Sequence, residues 1–546
     1  MDQIINFLKA ILTPPTGGWG RKAEHALVLL LLFKVLKFVR ARGITACFKM
    51  VLSYVIGGAR QLPGVGGLVN EEIEKEVRTI EKKMLGSGDP NANFFLPQKG
   101  WTEEQILTLA DDMKKNDFFE EGKKWAGIYH EVNGECPLDK IQQNMWCKFV
   151  NTNGLYPGVF KSCRKFESEI VAMIIAMLNG GPAAKEGAWG REATGLLTSG
   201  GTESILISIL SYREEGRKKG IFEPEIICSR AAHGALDKAC FYFGIKLVKL
   251  EANKNFQLDV NEVRNAITPN TVCVYASAPS FPHGIVDPIE ELAKVTKAKG
   301  VGLHVDNCLG GFYLSSLSRL GIFKKKFDFR VPGVTTISID VHKYGFAPKG
   351  CSVVCFANNE LRSLSLHPVT TGLTLYVTPT LQGSRGQGVT AAAWATMMNT
   401  GIEGYNNIAN QLHGLIDRVI EAVNNIDGIK IAVRPDLAIV PIAGEKGVNI
   451  FAVSGLMEER GWSVFTSRDP ALMGWCVGQQ YERVLDDWIK DLTEVVKFVK
   501  ANPNTPITGS GAVYGAATVL PDDVLDEVMR NYVGVTMKVK QQVKEE

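Results

Sequence analysis

The 546-residue sequence predicts an α/β protein with a mostly parallel sheet, followed by a smaller α+β domain. Three observations lead there. Between about residues 195 and 360, short runs rich in branched residues alternate with helical stretches: EIICSR, IKLVKL, TVCVYASA, VGLHVD, TTISID and SVVCFA. After about residue 400 the rhythm changes to long helical runs, GYNNIANQLHGLIDRVIEAVNNI and YERVLDDWIKDLTEVVKFVKAN, around two short strands, IKIAV and AIVPIAG. A composition of 45% hydrophobic and 22% charged residues describes a globular chain large enough for two or more cores.

Taken in order, the chain divides into residues 1–70, a helical arm at 71–125, a large domain at 126–400 and a smaller domain with a tail at 401–546. The first part contains ALVLLLLFKVLKFV at 26–39, the most apolar stretch of the sequence. It falls short of the ~20 clean apolar residues of a spanning helix, but lysines such as Lys34 and Lys37 can reach the headgroups. It reads as a membrane anchor at about 26–41, with a buried or amphipathic helix as the alternative. Lys37, Arg40, Arg42 and Lys49 on its C-terminal side, against Lys9, Arg21 and Lys22 before it, place the large C-terminal part in the cytosol. At 71–84, Ile73, Val77, Ile80 and Met84 share one helical face.

A net charge of +3 offers no basic stripe for nucleic acid. The eleven cysteines contain no CxxC pair, which points to reduced, buried thiols and to no metal site.

Open parallel sheets bind ligands beyond the carboxyl ends of their strands, so chemistry is expected in the residues that follow them. Four segments qualify. In TSGGTESIL, Ser199, Gly200, Gly201 and Thr202 open a helix, and amides uncovered by glycine there suit a phosphate, although the same residues serve as a plain turn and cap. In SRAAHGALDKA, His233 follows a strand, where it is either structural or a flat ring for stacking. In GLHVDNCLGG, Asp306 ends a strand, either capping a turn or holding a ring nitrogen protonated. In SIDVHKYGFAPKG, His342 and Lys343 follow another, and Lys349 adds a second cation six residues on. Together an anion cradle, a stacking ring, a carboxylate and an amine able to condense with an aldehyde meet the needs of pyridoxal 5′-phosphate. His342 can then help hold the phosphate, and Lys349 is left for a second anion on the substrate.

The segments TSGGTESIL, AAHGALDKA, FPHGIVDP, LHVDNCLGGF, TTISIDVHKYGFAPKG, VTPTLQGSRGQG and TGSGAVYG resemble those of the sphingosine-1-phosphate lyases, a membrane-anchored branch of the fold type I pyridoxal-phosphate enzymes. Group II amino-acid decarboxylases share the broader layout and are the alternative. The resemblance implies an aspartate-aminotransferase-like large domain and carbon–carbon cleavage of a phosphorylated sphingoid base. It implies a homodimer with shared sites in the endoplasmic reticulum membrane. By position, Lys343 would attach the cofactor, Asp306 pair with its ring nitrogen, His233 stack on it, and Ser199–Thr202 with His342 hold its phosphate. Gly383 and Ser384 would reach the cofactor phosphate of the neighbouring subunit. Lys349 and Tyr129 would hold the substrate phosphate, with Asn153 close by and Tyr156 standing where the family tends to have histidine. Leu373 and Thr374 occupy positions where the family commonly has a Gly-Gly pair.

Overall fold

The computed structural model describes residues 136–511 without a break, together with 95–115, 123–130, 522–540 and parts of 71–93. The apolar run expected to be an anchor lies outside the described residues. One compact unit runs from Phe119 to Tyr514, and the described residues before and after it form a second. In that second unit, Thr102 and Gln105 cap the helix Glu103–Lys115 reciprocally: the Thr102 N–H donates to Gln105 Oε1 (2.8 Å) and the Gln105 N–H to Thr102 Oγ1 (3.3 Å).

The larger unit is organised by seven strands: β1 Thr194–Thr198, β2 Glu225–Ser229, β3 Lys246–Leu250, β4 Thr271–Ser277, β5 Gly302–Asp306, β6 Thr336–Asp340 and β7 Ser352–Phe356, in the order β1-β7-β6-β5-β4-β2-β3. The six runs anticipated from sequence are β2 to β7. Strand β1, from the short stretch TGLLT, was not among them, and it pairs along its whole length with β7. Strands β2, β4, β5, β6 and β7 are buried at every position, as expected where both faces of a sheet are covered.

Strand β7 alone runs against the others, since β1 and β6 are both antiparallel to it while the pairs from β6 to β3 are parallel. Six strands therefore end along one edge. Pairing sets Ser277 beside Asp306 and Asp306 beside Ser338 on that edge.

A second sheet, β10-β11-β9-β8, is antiparallel throughout and consists of β8 Ile429–Ile431, β9 Ile439–Gly444, β10 Phe465–Arg468 and β11 Ala471–Cys476. Sequence reading identified β8 and β9 but not the hairpin β10–β11. Phe465–Arg468 is four residues long with three of them polar, and β11 carries a glycine that propensity disfavours. That glycine is required by packing: a Cβ on Gly474 would lie 2.0 Å from the Phe465 ring. Beneath this sheet the indoles of Trp475 and Trp488 stack at 4.1 Å, joining β11 to the helix Leu485–Ala501. The helix Gly388–Asn424 runs on from the large sheet's layer to this one and is broken at Gly401, whose φ of 59° leaves the helical region.

Candidate active site

The first strand ends at Thr198, and the chain passes through Ser199 and Gly200 into the helix Gly201–Lys218. Hydroxyls fix this start. Thr198 Oγ1 lies 2.6 Å from Ser204 Oγ, which lies 2.8 Å from Ser352 Oγ on β7. Glu203 reaches back to accept the Ser199 N–H at 2.6 Å and with its other oxygen accepts the Leu381 N–H at 3.1 Å. Gly201 permits a close approach, because a Cβ there would lie 2.8 Å and 2.9 Å from the Asp340 carboxylate oxygens and 2.9 Å from Cys308 Sγ. Gly200 faces His342, so a side chain at 200 would enter the space between the helix start and that ring.

Beyond β6 the turn brings Lys343 back over the last residue of its own strand. The Lys343 ammonium pairs with Asp340 at 2.9 Å. Burial alone would push it down, but Asp340 beside it and Asp306 farther off hold it above its ordinary value. Asp340 is buried, and its second oxygen has no hydrogen-bond partner among the described residues. His342 accepts the Cys351 N–H on Nδ1 (3.3 Å), which leaves its proton on Nε2, 3.5 Å from Asp340. Burial lowers its proton affinity, with Asp340 opposing.

Asp306 ends β5 in a nest of donors: the Tyr275 hydroxyl at 2.6 Å, the Ser338 hydroxyl at 3.2 Å and the Cys308 N–H at 3.1 Å. Burial opposes its charge, but His233 and the Tyr275 hydrogen bond lead the interactions that hold it below the usual carboxylate range. His233, after β2, accepts the Ala235 N–H on Nδ1 at 3.1 Å.

These groups line one cavity of about 520 Å³. It takes in Ser199 to Glu203, His233, Asp306, Asp340, His342 and Lys343, with Tyr129, Trp125 and Phe281 as an aromatic side. The size suits a small cofactor with part of a substrate. The residues fit pyridoxal 5′-phosphate: helix-start amides and a half-buried histidine for an anion, an ionised buried carboxylate with an acceptor site left over, and one lysine at the cavity wall.

The remaining predicted residues fall into two groups. Tyr129 is buried at the cavity, and burial raises its phenol well above the ordinary value, so it keeps its proton. Lys349 stands behind it, 5.1 Å from the ring centroid, and donates to the carbonyls of Gly127 and His342 (2.9 Å to the latter). The residue is exposed overall, yet burial around its nitrogen, with Lys343 next, pushes it down to about 8. It does not line the cavity. Asn153, Gly383, Ser384 and Tyr156 lie elsewhere, in a cluster of loops. Asn153 accepts the Leu155 and Arg385 N–H groups and donates to Ser384 Oγ at 3.0 Å. Below them Arg385 and Gln387 converge on Glu167. Tyr156 is exposed there.

Sequence reading passed over Asp340, Glu203, Trp125 and Phe281. Asp340 had a signal, since it closes the strand that delivers Lys343. Glu203 had one as the acidic residue in a first helical turn. The two aromatic residues come from loops with no local pattern.

Known proteins share this arrangement. A family model described as the pyridoxal-dependent decarboxylase conserved domain matches residues 135–441. The chain is 40% identical to sphingosine-1-phosphate lyase of Arabidopsis thaliana over 89% of this chain and 88% of that one. It is 34% identical to sphingosine-1-phosphate lyase 1 of Rattus norvegicus, over 92% and 87%. Among solved structures, the Burkholderia pseudomallei sphingosine-1-phosphate lyase superposes with a TM-score of 0.71 at 31% identity, over 78% of this chain and 96% of that one. Lactobacillus brevis glutamate decarboxylase shares the fold alone, with a TM-score of 0.63 at 17% identity over 75% and 95%. With strand-end residues matching the motifs and similarity running nearly the whole length of curated relatives, the chain belongs to the sphingosine-1-phosphate lyase family of pyridoxal-phosphate enzymes.

Proposed function

We propose that this chain cleaves phosphorylated long-chain sphingoid bases between C2 and C3, releasing a long-chain aldehyde and phosphoethanolamine. The observation that carries the reading is Lys343 and Asp306 facing one cavity at the strand ends of a chain similar to sphingosine-1-phosphate lyases over most of its length.

When bound, pyridoxal 5′-phosphate supplies an electron-withdrawing ring that takes up the electron pair released as the C2–C3 bond breaks. Lys343 would hold its carbonyl, Ser199–Thr202 and His342 its phosphate, His233 its face, and Asp306 its ring nitrogen. Each residue has a task that follows from its surroundings. Asp306 remains ionised because three donors replace the water it has lost. Asp340, 2.9 Å from the Lys343 nitrogen, stabilises its ammonium form, so the freed lysine can take up the C3 hydroxyl proton as the bond breaks and return it to C2. Tyr129 keeps its proton and orients an oxygen of the substrate. Lys349, its proton affinity lowered by burial and by Lys343, would regain it as a phosphate dianion approaches and replaces the two carbonyls as its acceptor.

Two copies would share their sites. The Asn153–Ser384 cluster holds residues suited to a phosphate but does not line its own chain's cavity, and Leu373, Leu375 and Val377 are exposed on the loop leading to it. The apolar run at 26–39 would anchor the protein in the endoplasmic reticulum membrane, catalytic part toward the cytosol, where an acyl chain partitions.

Incubating the purified protein with a phosphorylated long-chain base and analysing products tests the reading. Long-chain aldehyde and phosphoethanolamine in equal amounts are expected. Carbon dioxide from an amino acid, with the base untouched, would replace this proposal with an amino-acid decarboxylase.

A further inference from the structure

Behind Asp306 lies a buried chain of polar side chains, of which the roles above use only Ser338. It begins on the helix Gly201–Lys218, where the Tyr212 hydroxyl lies 2.7 Å from Thr336 Oγ1. Thr336 Oγ1 is 2.7 Å from His304 Nδ1, His304 Nε2 is 3.2 Å from Ser338 Oγ, and Ser338 Oγ is 3.2 Å from Asp306 Oδ1. The directions are dictated by the end of the chain. A carboxylate only accepts, so Ser338 donates to Asp306 and must accept from His304, whose proton therefore sits on Nε2. Burial keeps that imidazole neutral, its proton affinity pushed down to about 4 with Asp306 opposing.

Tyr275 completes the arrangement from the other side. It stands opposite His304 in the β4–β5 register, its ring stacks on the imidazole at 4.9 Å, and its hydroxyl donates to Asp306 Oδ2 at 2.6 Å. Phenol, imidazole and hydroxyl are all fully buried or nearly so. Nothing in the packing demands a hydroxyl there, since phenylalanine would fill the same space. What the hydroxyl changes is the oxygen it touches.

We propose that Tyr275 is a positioning residue that sets how strongly Asp306 draws a proton on the cofactor's ring nitrogen. A carboxylate already accepting a short hydrogen bond on Oδ2 is a weaker base than a free one, and three protein donors leave about one acceptor direction for a fourth. Tyr275 thus lowers the pull of Asp306 on the ring proton while aiming its remaining lone pair. Through the stacked, neutral His304 and Ser338, the opposite oxygen is fixed in the same plane. The proposal rests on Asp306 meeting the ring nitrogen, as assigned above.

The test is the 15N chemical shift of the ring nitrogen in holoenzyme loaded with 15N-labelled pyridoxal 5′-phosphate. Tyr275→Phe is expected to move it toward the fully protonated limit. Replacing Tyr275 with 2,3-difluorotyrosine, a stronger donor of nearly the same shape, is expected to move it the opposite way, and this second variant serves if the phenylalanine protein does not fold. Asp306→Asn separates the two levels of the argument. If Asp306→Asn leaves the shift unchanged, the assignment of Asp306 fails and the role of Tyr275 with it. If Asp306→Asn moves the shift while the substitutions at 275 leave it at the wild-type value, the tyrosine is only a packing residue and the proposal is overturned.

Discussion

The residues assigned to cofactor chemistry divide between two regions built in different ways, the strand-end cluster and the loop cluster. Asp306 closes a strand, Ser199 to Thr202, His233, His342 and Lys343 each sit one to four residues past one, and the sheet brings them together. Asn153, Gly383 and Ser384 are held by loop-to-loop hydrogen bonds, outside the cavity of their own chain. The first region is fixed by backbone pairing inside a buried sheet, and its residues line a cavity of their own chain. The second has its own internal bonding and lines no part of that cavity.

That contrast sets the size of the expected effects. Lys343→Ala should be the most damaging change in the strand-end cluster. Visible absorbance of lysine-bound cofactor should be lost, and turnover should fall by more than about a thousandfold, since covalent attachment and proton transfer are both removed. Full absorbance in this variant would mean that another lysine holds the cofactor.

Next comes acid. His304 lies under the cluster, fully buried, and binds its proton only near about 4 when folded, against 6.5 in the open chain. The unfolded state therefore binds the proton first as pH falls. Stability from this group is complete above about 6.5 and is lost down to about 4, amounting to about 3 kcal/mol. Chemical denaturation from pH 7.5 to 4.5 should show the decline, and His304→Gln should flatten it. An unchanged slope in that variant would place the acid sensitivity elsewhere.

Lys349 stands between the two regions in effect. Lys349→Ala should keep the cofactor absorbance and lower kcat/KM for the phosphorylated base by about ten- to a hundredfold, the worth of one charge-assisted hydrogen bond. Normal kinetics with an intact spectrum would leave the lysine as a tie between the carbonyls of Gly127 and His342 alone.

The smallest effect belongs to the loop cluster. Ser384→Ala removes the hydroxyl that Asn153 touches at 3.0 Å and should weaken cofactor retention by about two- to tenfold, from a bond worth about 0.5–1.5 kcal/mol. If the cluster serves a neighbouring copy, the one Lys343-bearing site in mixed dimers of Ser384→Ala with Lys343→Ala is completed by the other chain's intact Ser384 and should retain cofactor normally. A retention defect at that site would make the cluster a local brace.

Legibility in the sequence follows the same division. Six of seven strands of the large sheet, and the residues that follow them, could be read because fully buried parallel strands are continuous apolar runs. The strand TGLLT was missed for its brevity, although it delivers Ser199. Asp340 was in view within SIDVHK but looked like an ordinary strand end, and its importance comes from the turn that folds Lys343 back onto it. Tyr275 and His304 read as interior strand residues, and only register shows that they share a face with Asp306. The place of Lys349 outside the cavity depends on Gly127, which is more than two hundred residues away in sequence. Neither that contact nor the Asn153–Ser384 pairing leaves a local trace.

The central claim is that the strand-end cluster is the cofactor site and Lys343 its anchor. Reducing the holoprotein with borohydride makes the lysine–cofactor bond permanent, and peptide mapping by mass spectrometry then locates the modified lysine. The account predicts the pyridoxyl group on Lys343, in the peptide containing DVHKYG. Its recovery on Lys349, or on any lysine outside the cavity, would contradict the assignment of the site.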